Sequence, residues 1–173
     1  MNKKIMYIIT ILSTAVLLFL DQIAKYLAVL HLKGQAAIPI IKNVFELQYL
    51  ENQGAAFGIM QGKKTFFVIG TLIFLVIVVI LYHNIPLTKR FTPIRIVAIL
   101  IVAGAIGNMI DRVVHQYVID FFYFKLINFP IFNVADIYVV VACILFILLM
   151  LFYYKEEELG QIFPFMKSKK AEK

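Results

Sequence analysis

Asp111 and Asp120 both fall in the stretch GNMIDRVVHQYVIDFF (107–122), and Asp136 follows shortly after. Carboxylates placed among apolar residues suggest a definite chemistry. Two of them sharing one water do not both ionise readily, so one is left to act as acid and the other as base. Asp120 is flanked by Val118, Ile119, Phe121 and Phe122, with no Lys or Arg within four positions. Poor solvation there favours its protonated form. Asp136 stands three residues after Asn133, at the start of the apolar run FNVADIYVVV. With Asn133 as N-cap, Asp136 occupies the third helical position, where the helix dipole favours the ionised form. The chemical expectation is an acid–base pair able to activate a shared water, with Asp120 as acid and Asp136 as base. The plainer alternative, a solvent-facing loop aspartate and a helix-capping one, stays open on these residues alone.

Two further polar groups lie beside them. DQIAK sets Asp21 and Lys25 at i and i+4, one helical turn apart. An ion pair closing the end of a first helix, or a support behind the reacting groups, both suit that spacing. AGAIGNMIDR aligns Gly104, Gly107, Asn108 and Asp111 on one helical stripe. Small residues permit close helix approach in lipid. Asn108, Asp111 and Arg112 are expected to hydrogen-bond at its end, with Asp111–Arg112 pairing as a purely structural option. Other catalytic classes fit poorly. The only serines are Ser13, inside the first apolar run, and Ser168 near the far end, so a Ser–His arrangement is excluded. Cys143, the single cysteine, reads as a buried, inert thiol. A metal site on Asp111 and His115 lacks a histidine cluster or HExxH motif, so no metal or other cofactor is expected.

The elements that must position these groups follow from the apolar patterning. Of 173 residues, 62% are hydrophobic, against about 45–50% for a soluble domain. Basic residues flank the apolar runs instead of forming a patch, so the net charge of +7 does not indicate nucleic acid. The N-terminal run MNKKIMYIITILSTAVLLFL shows no small-x-small cleavage site after it and is expected to remain as a first span. We expect an α-helical membrane protein forming a single integral-membrane domain over 1–173. Its four transmembrane helices are placed at about 5–28, 65–84, 94–113 and 135–155, with an extracytoplasmic segment at 31–63. The distribution of Lys and Arg favours both termini in the cytoplasm. All four aspartates then fall on the outer face, with Asp21 ending the first span and Asp111 the third. NVFELQYLEN alternates as a half-buried strand, with Phe45, Leu47 and Tyr49 on one face. NQGAAFGIMQG suggests a flap or short surface helix. Rings at Tyr117, Phe121 to Phe124, Phe129 and Phe132 suit a membrane interface, and the tail KSKKAEK reads as a solvated cytoplasmic end. A proton- or ion-coupled carrier using outer-face aspartates is the rival to an enzyme, and a membrane scaffold is a third reading.

Taken in order, DQIAK (21–25), NQGAAFG (52–58), GAIGNMIDR (104–112), VIDFF (118–122) and FNVAD (132–136) resemble the lipoprotein signal peptidase (signal peptidase II) family. Departures are Ala103, where the family usually has glycine, and Ile137, where small or hydroxyl residues are common; neither touches a carboxylate. The resemblance implies an aspartyl protease of the bacterial cytoplasmic membrane. Its substrate would be a diacylglyceryl-modified prolipoprotein, cut just before the lipidated cysteine. It implies Asp120 and Asp136 as the catalytic pair. Asn52, Gly54, Asn108, Asp111, Arg112 and Asn133 would line or support the site, with Asp21 and Lys25 holding its frame. A small extracytoplasmic β-sheet and flap, contact with membrane lipid, and inhibition by globomycin-type cyclic peptides follow from the same resemblance.

Overall fold

The computed structural model describes residues 2–54 and 63–163. The candidate flap over residues 55–62 and the KSKKAEK tail lie outside the described residues. Among the described residues, four helices are long and apolar enough to cross a membrane. Helix α1 (Lys3–Leu32) opens with Asn2 as N-cap, its side chain accepting from the Lys4 N–H. It ends where Gly34 takes a left-handed φ of +74°, a conformation glycine adopts without strain. Next come β1 (Ile38–Ile41), β2 (Phe45–Asn52) and α2 (Lys64–Asn84). A short 3₁₀ turn leads into α3 (Thr92–His115), which carries a proline in its first turn. After α3, Gln116 at φ +76° turns the chain into β3 (Val118–Tyr123). Helix α4 (Val134–Leu148) continues through one π-helical turn, and a short α5 (Glu156–Ile162) follows it.

At 30 residues, α1 is about 45 Å long, against a hydrocarbon core of about 30 Å. Its last turns therefore reach past the apolar layer to the sheet, where Ala28 and Leu32 pack with Ile119 and Phe121. The helix itself runs on past Asp21 to Leu32, and Asp21 lies within it at 0% exposure. A paired carboxylate does not end a helix.

The sheet is antiparallel in the order β1-β2-β3. Its register pairs Leu50 with Asp120 and Asn52 with Val118, and a bulge lies between Leu47 and Leu50. Phe132 bridges Phe122 on the other side of β3. The alternation expected in β2 holds only in part. Leu47 and Tyr49 pack towards the end of α1, but the strand's best-buried residue is Glu46, which Lys125 holds at 3.1 Å. Rings of Phe45, Phe122, Phe124 and Phe132 pack against one another beside it in the sheet.

Helix α3 is the centre of the bundle, and its small residues explain how. A Cβ on Gly104 would lie 2.5 Å from the Ala135 carbonyl oxygen, and one on Gly107 would lie 2.5 Å from Asp21 Oδ2. Glycine at these two positions lets the α4 backbone close on α3 at Gly104 and leaves room for the Asp21 side chain at Gly107. A larger apolar core of Met6, Tyr82, Ile94, Val97, Ala142 and Leu149 fills the opposite end. Cys143 is not buried as expected; it is exposed on α4, whose outward positions Val140, Ile144 and Ile147 are also exposed. In an apolar run every position looks buried, although lipid covers such a surface as readily as protein does.

Gly107→Ala is expected to lower the unfolding midpoint of the detergent-solubilised protein, at a cost of about 1–3 kcal/mol from overpacking. Gly70→Ala, where nothing lies within 4 Å of the added methyl, should leave the midpoint unchanged or raise it slightly.

Candidate active site

The polar residues singled out from the sequence come from five elements and gather at one end of the bundle. The innermost is Lys25. Its ammonium lies 2.9 Å from Asp21 Oδ2, 2.9 Å from Asp111 Oδ2 and 3.1 Å from Asn108 Oδ1. Three donors meet three acceptors, which is the whole capacity of an ammonium group. Lys25, Asp21 and Asp111 are all essentially without solvent contact. Gln22 Nε2 bridges the two carboxylates, at 3.1 Å from Asp21 and 3.2 Å from Asp111. Asp111 therefore pairs across to α1 and not with its neighbour Arg112. Consecutive helical residues point about 100° apart, so an i, i+1 pair does not face itself.

Each buried carboxylate also fixes a piece of backbone. Asp21 Oδ1 accepts the Ala135 N–H at 2.9 Å, which sets the first turn of α4. Asp111 Oδ2 accepts the Ile119 N–H at 3.1 Å, which sets β3 one residue before Asp120. The charge network thus aims both elements that carry Asp120 and Asp136.

A chain of amides completes the connection. Asn108 Oδ1 accepts from Lys25 and from Asn133 Nδ2, while Asn108 Nδ2 donates to Asp136 Oδ1 at 2.8 Å. Asn133 is the N-cap of α4 and forms a reciprocal capping box with Asp136. Its side-chain Nδ2 also donates to Asp120 Oδ1 at 2.7 Å. Asn133 therefore touches both aspartates. From the end of β2, Asn52 Nδ2 donates to Asp120 Oδ2 at 2.8 Å, and Asn52 Oδ1 accepts the Gly54 N–H. Arg112 donates to the carbonyls of Gly54 and Asn108 and lies 4.9 Å from the Phe67 ring.

Asp120 and Asp136 both line a cavity of about 520 Å³. Its polar end holds Asn52, Asn108 and Arg112; its walls are Phe129, Ile131, Phe132, Ile137 and Val140. Burial pushes the Asp120 carboxyl up to about 7, and the charge of Asp136 adds to the rise. The amides of Asn52 and Asn133 oppose it. Hydrogen bonding alone does not set the two carboxylates apart in the way the sequence suggested, because each accepts two N–H groups among the described residues. They differ in setting: Asp120 projects from a strand, and Asp136 sits in the first turn of a helix.

Gln22 is the partner that sequence reasoning passed over. Its signal was a second polar residue inside a long apolar helix, directly after Asp21. His115 stacks on Tyr117 and takes no part in the network. Among the described residues no group of three or more His, Cys, Asp or Glu is arranged to hold a metal ion.

The family model described as signal peptidase (SPase) II matches residues 13–152. The chain is 45% identical over 136 residues to a lipoprotein signal peptidase of Caldanaerobacter subterraneus subsp. tengcongensis, covering 78% of this chain and 90% of that protein. It is 38% identical over 150 residues to one of Streptococcus pyogenes, covering 87% and 95%. A solved structure described as a bacterial membrane enzyme, determined by the in meso method at 1.9 Å resolution, superposes with a TM-score of 0.72 at 34% identity. It covers 84% of this chain and 94% of that one.

Lys25→Met is expected to leave two buried carboxylates uncompensated and to cost about 3–5 kcal/mol of stability. The readout is thermal unfolding in detergent, and Asp21→Asn added to Lys25→Met should recover part of the loss.

Proposed function

The chain belongs to the lipoprotein signal peptidase (signal peptidase II) family, and on that premise we propose that Asp120 and Asp136 hydrolyse the peptide bond through one shared water. The protein is an aspartic peptidase, a multi-pass bacterial membrane enzyme that removes signal peptides from prolipoproteins. The reading of its site rests above all on Asn133. Through that one residue both carboxylates are tied to the same short amide chain, at the mouth of a cavity polar at one end and apolar along its walls.

Asp136, ionised, takes a proton from the water, whose oxygen attacks the scissile carbonyl carbon. Asp120, protonated, donates to the carbonyl oxygen, and a gem-diol forms. Collapse reverses the roles. Asp136 gives its proton to the departing amine, Asp120 recovers one from the gem-diol, and the new carboxyl group leaves. The pair ends in its starting state, with no covalent intermediate. Burial of Asp120 supplies an acid still protonated near neutral pH. Asn52 holds Asp120 Oδ2, Asn108 holds Asp136 Oδ1, and Arg112 holds the Gly54 carbonyl. Asp21, Lys25 and Asp111 position these groups and do not meet substrate.

The substrate is a prolipoprotein bearing diacylglycerol on the cysteine that becomes the new N-terminus, and the cut falls just before it. The apolar walls suit a lipid-bearing residue, while the polar end receives the peptide. The carboxylates face the extracytoplasmic side of the cytoplasmic membrane, with both termini in the cytoplasm. The bias of Lys and Arg supports this orientation. Cyclic peptides of the globomycin type would occupy the same cavity.

Asp120→Asn and Asp136→Asn should each lower kcat for a lipidated precursor by about 10²–10⁴-fold or more while the variants stay folded and inserted. The rate should also fall as pH rises through about 7, because Asp120 then loses the proton it must donate. A purified protein that keeps its rate in either Asn variant would overturn the assignment.

A further inference from the structure

The end of the bundle away from the carboxylates carries a feature that peptide hydrolysis does not use. A cleft of about 450 Å³ opens between α1, α2 and α3. Its walls include Ile11, Ala15, Leu18, Val79, Val102 and Ile106. From Tyr7 to Leu18 it follows α1 for about 16 Å, the depth of one leaflet of a hydrocarbon core about 30 Å thick.

One end of this apolar cleft is polar and cationic. Tyr7 Oη lies 2.9 Å from His83 Nδ1, and Lys3 Nζ lies 3.4 Å from His83 Nε2. Lys3 can only donate, so His83 Nε2 accepts and His83 Nδ1–H donates to Tyr7 Oη. The Tyr7 hydroxyl hydrogen and the remaining Lys3 N–H groups are left for an external acceptor. Lys3 and Lys4 occupy the first turn of α1, which has no acidic residue, and the helix's own amides already make that end positive. None of Lys3, Lys4 and His83 joins an ion pair among the described residues. An anion with apolar substance attached to it would complement both the cleft and its basic end.

We propose that this cleft binds an anionic phospholipid, with an acyl chain along α1 and the phosphate against Lys3 and Tyr7. The site lies in the leaflet opposite the candidate active site and is independent of the catalytic assignment. Its occupant would complete the α1–α2 seam, where Tyr7 and Thr10 on α1 hydrogen-bond His83 and Tyr82 on α2.

The test is native mass spectrometry of the delipidated full chain, titrated with palmitoyl-oleoyl phosphatidylglycerol and, separately, with the phosphatidylcholine of the same chains. One phosphatidylglycerol should be retained per protein in preference to phosphatidylcholine. Lys3→Gln should weaken that retention about fivefold, the factor expected for one basic group near an anionic lipid. Ala15→Phe, which fills the cleft from an exposed position, should reduce retention of both lipids. Both variants should still cleave a lipidated precursor, since neither residue approaches Asp120 or Asp136. Equal retention of the two lipids by the unmodified protein would overturn the proposal. So would undiminished phosphatidylglycerol binding in both variants, or dimerisation of the chain through this face in place of lipid binding.

Discussion

A single buried ammonium group governs the arrangement of this protein. Lys25 sits between Asp21 and Asp111 with essentially no solvent contact, and a third acceptor, Asn108, uses its last N–H. Charges out of water are tolerated only when their partners are complete and well placed. That requirement leaves α1 and α3 little freedom to slide or rotate. It extends through the carboxylates to the Ala135 and Ile119 amides, and so to the two elements that bear Asp120 and Asp136. Gly104 and Gly107 serve the same end, since a side chain at either would push α4 or Asp21 out of reach.

Outside this framework the chemistry needs little more than two carboxylates in unlike settings. Asp120 lies on a strand, walled by apolar neighbours, with its carboxyl raised to about 7. Asp136 lies in the first turn of α4, held by the cap that begins the helix. Asn133 belongs to both settings: as a cap it stabilises α4, and as a donor it reaches Asp120. Local folding signals and the candidate site are thus built from the same residues. The cavity beside them joins polar amides to an apolar wall, which suits the lipid-bearing prolipoprotein proposed as substrate.

How much of this could be read from the sequence depended on distance along the chain. The Asp21–Lys25 pair and the Asn133–Asp136 capping box are contacts within one helical turn, and their spacing alone revealed them. The glycine stripe of α3 was legible for the same reason, through helical periodicity. The partner of Asp111 was not, because Lys25 lies far away in sequence and the adjacent Arg112 offered a false local answer. Nor did periodicity foretell the reach of Asn52 to Asp120, which depends on a β2–β3 register containing a bulge. Glu46 and Cys143 misled in opposite senses. A carboxylate was buried beside Lys125 in the sheet, and a thiol in an apolar run faced outward, since in a membrane apolar character does not distinguish core from surface.

The account stands on water, not an aspartate, attacking the scissile carbonyl. A single-turnover cleavage of a lipidated precursor in ¹⁸O-enriched water, with enzyme in excess, addresses this directly. Mass analysis of the released signal peptide should find one ¹⁸O in its new carboxylate and none in the enzyme. An unlabelled product, with ¹⁸O recovered in Asp120 or Asp136, would mean that an aspartate had formed a covalent intermediate and would contradict the shared-water mechanism.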